Sequence, residues 1–305
     1  MRVCFVGLGS IAERHIRNLK DILGADIVID VLRSGIGRSV ESDLATMINN
    51  IFYCVDEMQG FYDAVFITNP TSKHFDTLIQ LQNFSNYFFV EKPVFENWNE
   101  KIELLDQTKT YYVACPLRYT NVIQHLKQNV DFSEVYSMRC ISSSYLPNWR
   151  PGTDYRNTYS AHRNLGGGVS IDLIHEWDYI HYLLGEPKQV KSIISKKSHL
   201  EIDSDDIAIY IAEYEDKVVE LHLDYFGRKS IRRIELFTKN DTIVADLINQ
   251  KIECLYTGIK YDMSQERNEY QKKELKHFLD IIQGKVNNDN GLLEACSVLK
   301  ITKGC

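Results

Sequence analysis

Asp172, His175 and Asp178 recur every third residue directly after three consecutive glycines, in GGGVSIDLIHEWD at 166–178. On a helix turning by about 100° per residue they share an arc of about 120°. Leu173, Trp177, Ile180 and Leu184 gather on nearly the opposite side. One face would anchor in a core, and the other would present an imidazole flanked by carboxylates. That spacing equally describes a solvated polar face. A metal site has less support, because no further ligand is evident, and none is expected. Gly166–Gly168 favour chemistry, since missing side chains let a substrate or cofactor approach the helix start. A second candidate is FFVEKP, which places Glu91, Lys92 and Pro93 at the end of a β-rich run. Ligands of open parallel sheets bind at that edge, and Pro93 biases Lys92 toward an extended backbone. A lysine there is otherwise a solvated surface residue.

The elements that must position these groups fall into two halves. RVCFVG, DIVIDVL, AVFITNP, YFFVEKP and YYVACP read as short apolar strands. SIAERHIRNLKDIL, TSKHFDTLIQLQNF and NWNEKIELLDQT carry helical periodicity between or after them. That order predicts βα units and a parallel sheet. Beyond about residue 120 the runs lengthen and alternate, as in VYSMRCISSSYL, DIAIYIAEYE, KVVELHLDYF and SIRRIELFTK, which predicts an antiparallel sheet. Helices are expected around 169–184 and 267–283. The α/β chain is thus divided into residues 1–120 and 121–305.

Between the first strand and first helix lies Gly7-x-Gly9-x-x-Ala12. Gly7 permits a tight turn, Gly9 lets a pyrophosphate reach the backbone, and Ala12 allows close helix packing. Without a ligand the same pattern makes a tight βα turn.

Composition excludes several classes. A formal net charge of −7 argues against a nucleic-acid or anionic-membrane surface. No apolar run approaches the ~20 residues of a membrane span, and the N-terminus reads as a strand, not a signal peptide. The seven cysteines are odd in number and form no C-x-x-C pair, so reduced thiols in a cytoplasmic protein are expected.

Taken in order, GLGSIAERH, EKP and the glycine–Asp–His–Asp stretch resemble the glucose–fructose oxidoreductase and inositol dehydrogenase (Gfo/Idh/MocA) family. ITNPTSKH at 67–74 and PLRY at 116–119 add to the resemblance, which covers essentially the whole chain. YLPNWRPGTDYRNTYS looks like a branch acting in sugar biosynthesis. The resemblance implies a Rossmann domain, then an α/β domain with an open, mostly antiparallel sheet whose face commonly makes a homodimer or homotetramer contact. It implies hydride transfer between a nicotinamide and a sugar carbinol, on a phosphorylated or nucleotide-activated sugar.

Carried onto this sequence, Lys92, Asp172 and His175 are the catalytic candidates. The family more usually separates its Asp and His by four residues, whereas here the gap is three. His175 is the expected base, because a hydride leaves only as the hydroxyl proton is taken up. Lys92 would stabilise the developing alkoxide, Asp172 would orient Lys92 or the sugar, and Asp178 is expected to be structural. Gly7, Gly9, Ser10, Ile11, Asn69, Pro70, His74 and Glu91 are the cofactor-side candidates.

Tyr145, Trp149, Arg150 and Tyr155 suit sugar faces and anionic groups, although a loop packed by its own aromatics would look alike. Arg118 lines the pocket or forms an ion pair. Cofactor choice turns on the second strand. If it runs through Leu32, its end presents Arg33 and Ser34, with Arg38 nearby, and NADP is preferred. If it ends at Ile29, Asp30 would accept from the ribose and NAD would be preferred. The first is expected. Alternatives are a cofactor-binding protein without turnover, and a lyase or glycosidase using tightly held NAD for transient oxidation.

Overall fold

The computed structural model describes residues 1–35 and 39–305, which divide into two compact units. Unit 1 comprises Met1–Pro116 and Gln271–Ser297, and unit 2 comprises Leu117–Tyr270 and Val298–Cys305. The sequence alone assigns everything after residue 120 to one domain. In the structure the chain returns to unit 1 near its C-terminal end.

In unit 1 the elements are β1 (Arg2–Val6), α1 (Ser10–Leu23), β2 (Val28–Leu32), α2 (Ser42–Ala45), β3 (Asn50–Phe52), β4 (Ala64–Ile67), α3 (His74–Leu81), β5 (Tyr87–Val90) and β6 (Thr110–Val113). The six strands form one parallel sheet in the order β3-β2-β1-β4-β5-β6. The order reverses between β1 and β4, and a doubly wound sheet holds its ligands at the carboxyl ends of such strands. The strands read as continuous apolar runs because both faces are covered. On one face Phe5 stacks on Phe66 at 4.5 Å, and Phe278 meets Phe66 and Phe89 edge-on.

The helix expected over 97–108 is absent apart from one 3-10 turn, Ile102–Leu104. Leu104 is 58% exposed while Leu105 is buried, so no apolar stripe forms. Asp106 instead accepts from the backbone and hydroxyl of Thr108, closing a turn.

Unit 2 opens with α4 (Asn121–Asn129), whose first turn is capped by Thr120 accepting from Ile123 N–H. There follow β7 (Val135–Tyr145), α5 (Val169–Asp172), α6 (Ile174–Leu184), β8 (Gln189–Ser195), β9 (Ile207–Glu213), β10 (Val218–Asp224), β11 (Phe226–Thr238), β12 (Thr242–Asp246), β13 (Lys251–Cys254) and β14 (Lys260–Asp262). Two further helices, α7 (Glu269–Ile282) and α8 (Leu292–Thr302), each cross a unit border.

The eight-stranded sheet runs β14-β13-β12-β11-β7-β10-β9-β8, antiparallel except where β7 pairs with β10. Its faces alternate by residue. Met138, Cys140, Ala208, Tyr210, Val219, Leu221, Ile234 and Leu236 are buried on one side, where Trp177 of α6 packs edge-on against Tyr210. The expected helix at 169–184 breaks at Leu173, whose φ/ψ of −99°/24° separates α5 from α6.

Candidate active site

Unit 1 places a glycine turn between β1 and α1. Gly7 has φ +89°, and a Cβ there would lie 2.8 Å from Asn69 Cα, so the approach of the β1 and β4 ends demands glycine. Gly9 differs. Its backbone is extended, and a Cβ at this position would meet no atom within 4 Å. The chain itself therefore does not require Gly9, whereas a ligand approaching the backbone would. Gly9 is also the N-cap of the 14-residue α1 and provides no side-chain cap. The N–H groups of Ser10 and Ile11 thus open a helix whose positive end suits an anion. Gly9→Val should cost only about 1 kcal/mol of stability, the usual loss for a poor cap. It should weaken nicotinamide dinucleotide binding at least about tenfold. Thermal melts and fluorescence titration check this together, and unchanged affinity would remove Gly9 from the site.

β2 runs through Leu32, and its pairing continues as Arg33 N–H donates to Phe52 C=O at 2.9 Å. Asp30 is buried within the strand. Its carboxylate accepts from Arg2 at 2.7 Å, Asn50 at 2.8 Å and Tyr62 at 3.2 Å. It is committed to the interior, and Arg33 and Ser34 follow at the strand's end, Arg33 half-buried. Arg38 lies outside the described residues.

At the end of β4, Asn69 donates to Thr77 Oγ1 at 2.8 Å, and its buried Oδ1 has no partner among the described residues. That buried acceptor, the bare Gly9 and the uncapped helix fit a polar phosphate-bearing cofactor. Pro70 leads into the 3-10 turn Thr71–Lys73. His74 is 1% exposed, with Nδ1 3.0 Å from Val94 C=O and Nε2 2.9 Å from Asn69 C=O. Burial pushes its pKa down. The ring joins the loops after β4 and β5, so the ligand contact expected of His74 gives way to positioning those loops.

Glu91 plays a related part. Its N–H extends the β4–β5 pairing to Ile67 C=O, and its carboxylate meets His15 Nε2 of α1 at 2.6 Å. Burial would raise its pKa, but the His15 hydrogen bond and the charges of His15, Lys92 and His74 hold it below the usual value. Glu91 ties the Lys92 loop to the helix that begins at the glycine turn. Lys92 follows, half-buried, before a cis Lys92–Pro93 bond.

In unit 2 the glycines answer a different need from the one expected. Gly166, φ +79°, ends the 3-10 turn Arg163–Leu165 in the left-handed region. A Cβ on Gly167 would overlap the Tyr159 and Ser160 carbonyls, and one on Gly168, φ +139°, would overlap the Asp205 carboxylate. Asp205 also accepts from Ser170 N–H at 2.9 Å, at the start of α5. The space beside Gly167 and Gly168 is therefore filled by the protein's own chain, and Gly166 is required by its left-handed backbone.

Asp172 is buried and accepts from Tyr225 OH at 2.6 Å, with Tyr159 as a second phenolic partner. Burial first, and then the Asp172 charge, raise the pKa of both tyrosines. Asp178 is paired with Arg118, Nε to Oδ2 at 2.9 Å and Nη2 to Oδ1 at 2.6 Å, both side chains buried. This is the ion-pair alternative for Arg118, and it removes Asp178 from any solvated face. His175 Nε2 lies 2.8 Å from Arg232 Nη2 and 3.2 Å from Glu176 Oε1.

Sequence reasoning missed Glu176, Arg232, Tyr159, Tyr225 and Asp205. One signal pointed to Arg232: in SIRRIEL two arginines sit side by side in an alternating strand, so one must face inward.

The loop after β7 packs largely on itself. The Trp149 indole donates to Ser144 Oγ at 2.9 Å, and its ring meets Tyr225 edge-on at 5.2 Å. The Arg228 guanidinium lies 4.0 Å over Tyr145, and Arg150 lies 5.3 Å over Tyr159. Tyr155 OH accepts from Glu201 N–H at 3.2 Å. Trp149, Arg150, Tyr155, Thr158 and Ser160 nevertheless line one shallow crevice, to which Tyr145 does not contribute. Through Tyr159 and Tyr225 that crevice wall connects to Asp172.

Residues 1–116 match the oxidoreductase family with an NAD-binding Rossmann fold, and residues 123–244 match the GFO/IDH/MocA C-terminal domain. The chain belongs to the Gfo/Idh/MocA oxidoreductases. No curated protein matches it in sequence. Among solved structures, UDP-N-acetylglucosamine 3-dehydrogenase GnnA from Acidithiobacillus ferrooxidans is 20% identical with a TM-score of 0.80, covering 99% of this chain and 95% of its own. An oxidoreductase from Thermotoga maritima is 22% identical at TM-score 0.82, with coverage of 100% and 95%. The WlbA dehydrogenase from Bordetella pertussis, solved with NADH and UDP-GlcNAcA, is 14% identical at TM-score 0.78, covering 99% and 94%. At these identities the likeness establishes the shared Gfo/Idh/MocA fold.

Among the described residues no three His, Cys, Asp or Glu side chains are grouped to hold a metal, and no helix is long and apolar enough to cross a membrane.

Proposed function

We propose that this Gfo/Idh/MocA oxidoreductase transfers hydride between a nicotinamide dinucleotide and a carbinol of a nucleotide-activated sugar. The bare, uncapped start of α1 at Gly9 carries the cofactor half of this reading. The names of GnnA and WlbA support the substrate half. Gly7, Gly9, Ser10 and Ile11 hold the pyrophosphate, with Asn69 and Pro70 beside them. When bound, the cofactor supplies or accepts the hydride. Lys92 hydrogen-bonds the reacting oxygen and stabilises its developing negative charge. His175 faces the sugar oxygen, and Asp172 holds Tyr225 and Tyr159 at the sugar's edge. Proton uptake at His175 Nε2 requires that this nitrogen leave Arg232. Trp149, Arg150 and Tyr155 bind the activating group. Incubating the protein with NAD or NADP and a panel of UDP-sugars, while following nicotinamide absorbance, tests the reading. No turnover with any sugar would favour a cofactor-binding protein without catalysis.

NADP preference is supported by Asp30 being committed inside β2 while Arg33 and Ser34 follow its end. A guanidinium makes charge-assisted contacts to a 2′-phosphate that NAD lacks. Arg33→Ala should lower kcat/KM for NADP by about tenfold or more, as one charged contact is worth ~1.5–3 kcal/mol, and leave NAD nearly unaffected. Preference for NAD, untouched by the substitution, would overturn this choice.

A homodimer or homotetramer through the open sheet face is supported by its exposed apolar residues. Ile193 and Ile211 are 63% and 53% exposed, beside Val218. A cytoplasmic setting is supported by seven cysteines that form no disulfide among the described residues.

A further inference from the structure

His175 sits in a cluster whose hydrogen positions follow from donor counting. Arg232 Nη2 lies 2.8 Å from His175 Nε2, and Arg232 Nε lies 2.7 Å from Glu176 Oε1. A guanidinium is always charged and offers only donors. The 2.8 Å contact therefore needs a lone pair on Nε2, and the proton of a neutral ring must sit on Nδ1. His175 cannot then donate to Glu176 Oε1, although that oxygen is only 3.2 Å away.

The carboxylate is held instead by the charge of Arg232, whose Nε lies 2.7 Å from Oε1, and by Tyr179 OH, which donates to Oε2 at 2.7 Å. The Cys140 thiol, which burial pushes well up, is the other titratable neighbour of Glu176. An imidazolium here would set its Nε2–H against the guanidinium. Arg232 stands on the inward face of β11, in register with the buried Ser142 of β7, so the strand fixes its reach.

We propose that Arg232, anchored by Glu176, is a positioning residue that fixes His175 as the Nδ1–H tautomer. The resting imidazole then has its lone pair turned to Arg232, and proton uptake at Nε2 requires that this nitrogen leave the guanidinium. The proton uptake rests on the proposed function, whereas the tautomer rests on the cluster alone.

The test is two-dimensional ¹H–¹⁵N NMR of two-bond couplings in protein labelled at histidine, without cofactor or sugar, at neutral pH. His175→Asn assigns the signals. The expected wild-type pattern is an unprotonated Nε2 and a protonated Nδ1. Arg232→Met should move the proton toward Nε2, where Glu176 accepts it, and Arg232→Lys should retain the wild-type pattern, since an ammonium also only donates. A protonated Nε2 in the wild type overturns the proposal, as does an identical tautomer in Arg232→Met. If Arg232→Met does not fold, the wild-type and Arg232→Lys spectra still decide it. The measurement uses no substrate, so an inactive enzyme with the Nδ1–H tautomer would refute the proposed function and leave this inference standing.

Discussion

Lys92→Ala is expected to lower kcat by about 10²–10⁴ while leaving the affinity for nicotinamide dinucleotide within about threefold of wild type. The two halves of this result have separate causes. In the proposed reading cofactor affinity resides in the β1–α1 turn, where Gly9 has open space beside it and no side chain caps α1. Lys92 lies at the end of β5, in a loop held by the Glu91–His15 contact and by His74. Those contacts survive removal of the Lys92 side chain, so the loop keeps its shape and a melt should register little change. What is lost is a cation at the reacting oxygen, which matters only as negative charge develops there. Lys92→Arg should recover little, because a planar guanidinium cannot reproduce a compact ammonium. Single-turnover kinetics with a saturating sugar read the chemical step directly. Near wild-type turnover in the alanine variant would exclude Lys92 from the mechanism.

The parallel sheet of unit 1 was legible because its strands are short, apolar and separated by helical periodicity. Its glycine turn was legible because glycines at that spacing stand between a strand and a helix, and at Gly7 the choice has a steric cause. The supposed helix over 97–108 was not distinguishable from a real one by spacing alone. Leu104 supplies an apolar residue at a helical interval, but it lies on the surface. The return of α7 to unit 1 was equally hidden, since Phe278 and Leu275 form an ordinary amphipathic pattern that names no partner.

In the candidate site, single residues were easier to find than their relations. At Gly167 and Gly168 a side chain is excluded by Tyr159, Ser160 and Asp205, the last some 37 residues along the chain from Gly168, and no local pattern encodes that approach. Arg232 reaches His175 from a strand that pairs with β7, so the decisive contact depends on sheet register. The surroundings of Asp30 follow from the length of β2. Once the strand extends to Leu32, its carboxylate is enclosed by Arg2, Asn50 and Tyr62.

Asp178→Asn should destabilise unit 2 by about 3–5 kcal/mol, the usual cost of leaving one member of a buried ion pair uncompensated. Arg118 is 1% exposed and makes two short contacts to this carboxylate. An amide of the same size keeps the packing but removes the charge and one acceptor, so the loss is electrostatic and not a cavity. The Tyr182 ring, 4.9 Å from the guanidinium, offers only a weak substitute. At about 2–4 °C per kcal/mol for a unit of this size, the melting temperature should fall by roughly 6–20 °C. Tryptophan fluorescence suits the measurement, because Trp149 and Trp177 both lie in unit 2 and only Trp98 lies in unit 1. A double variant, Arg118→Met with Asp178→Leu, separates the pair's net worth from the cost of breaking it. Replacing both charges with apolar groups of similar volume should recover most of the loss, since each charge was already deprived of water. If the double variant is as unstable as Asp178→Asn, the contribution is specific to the two-contact geometry. If Asp178→Asn melts with the wild type, the pair is not holding α6 in place, and Arg118 returns as a candidate for the substrate's negative groups.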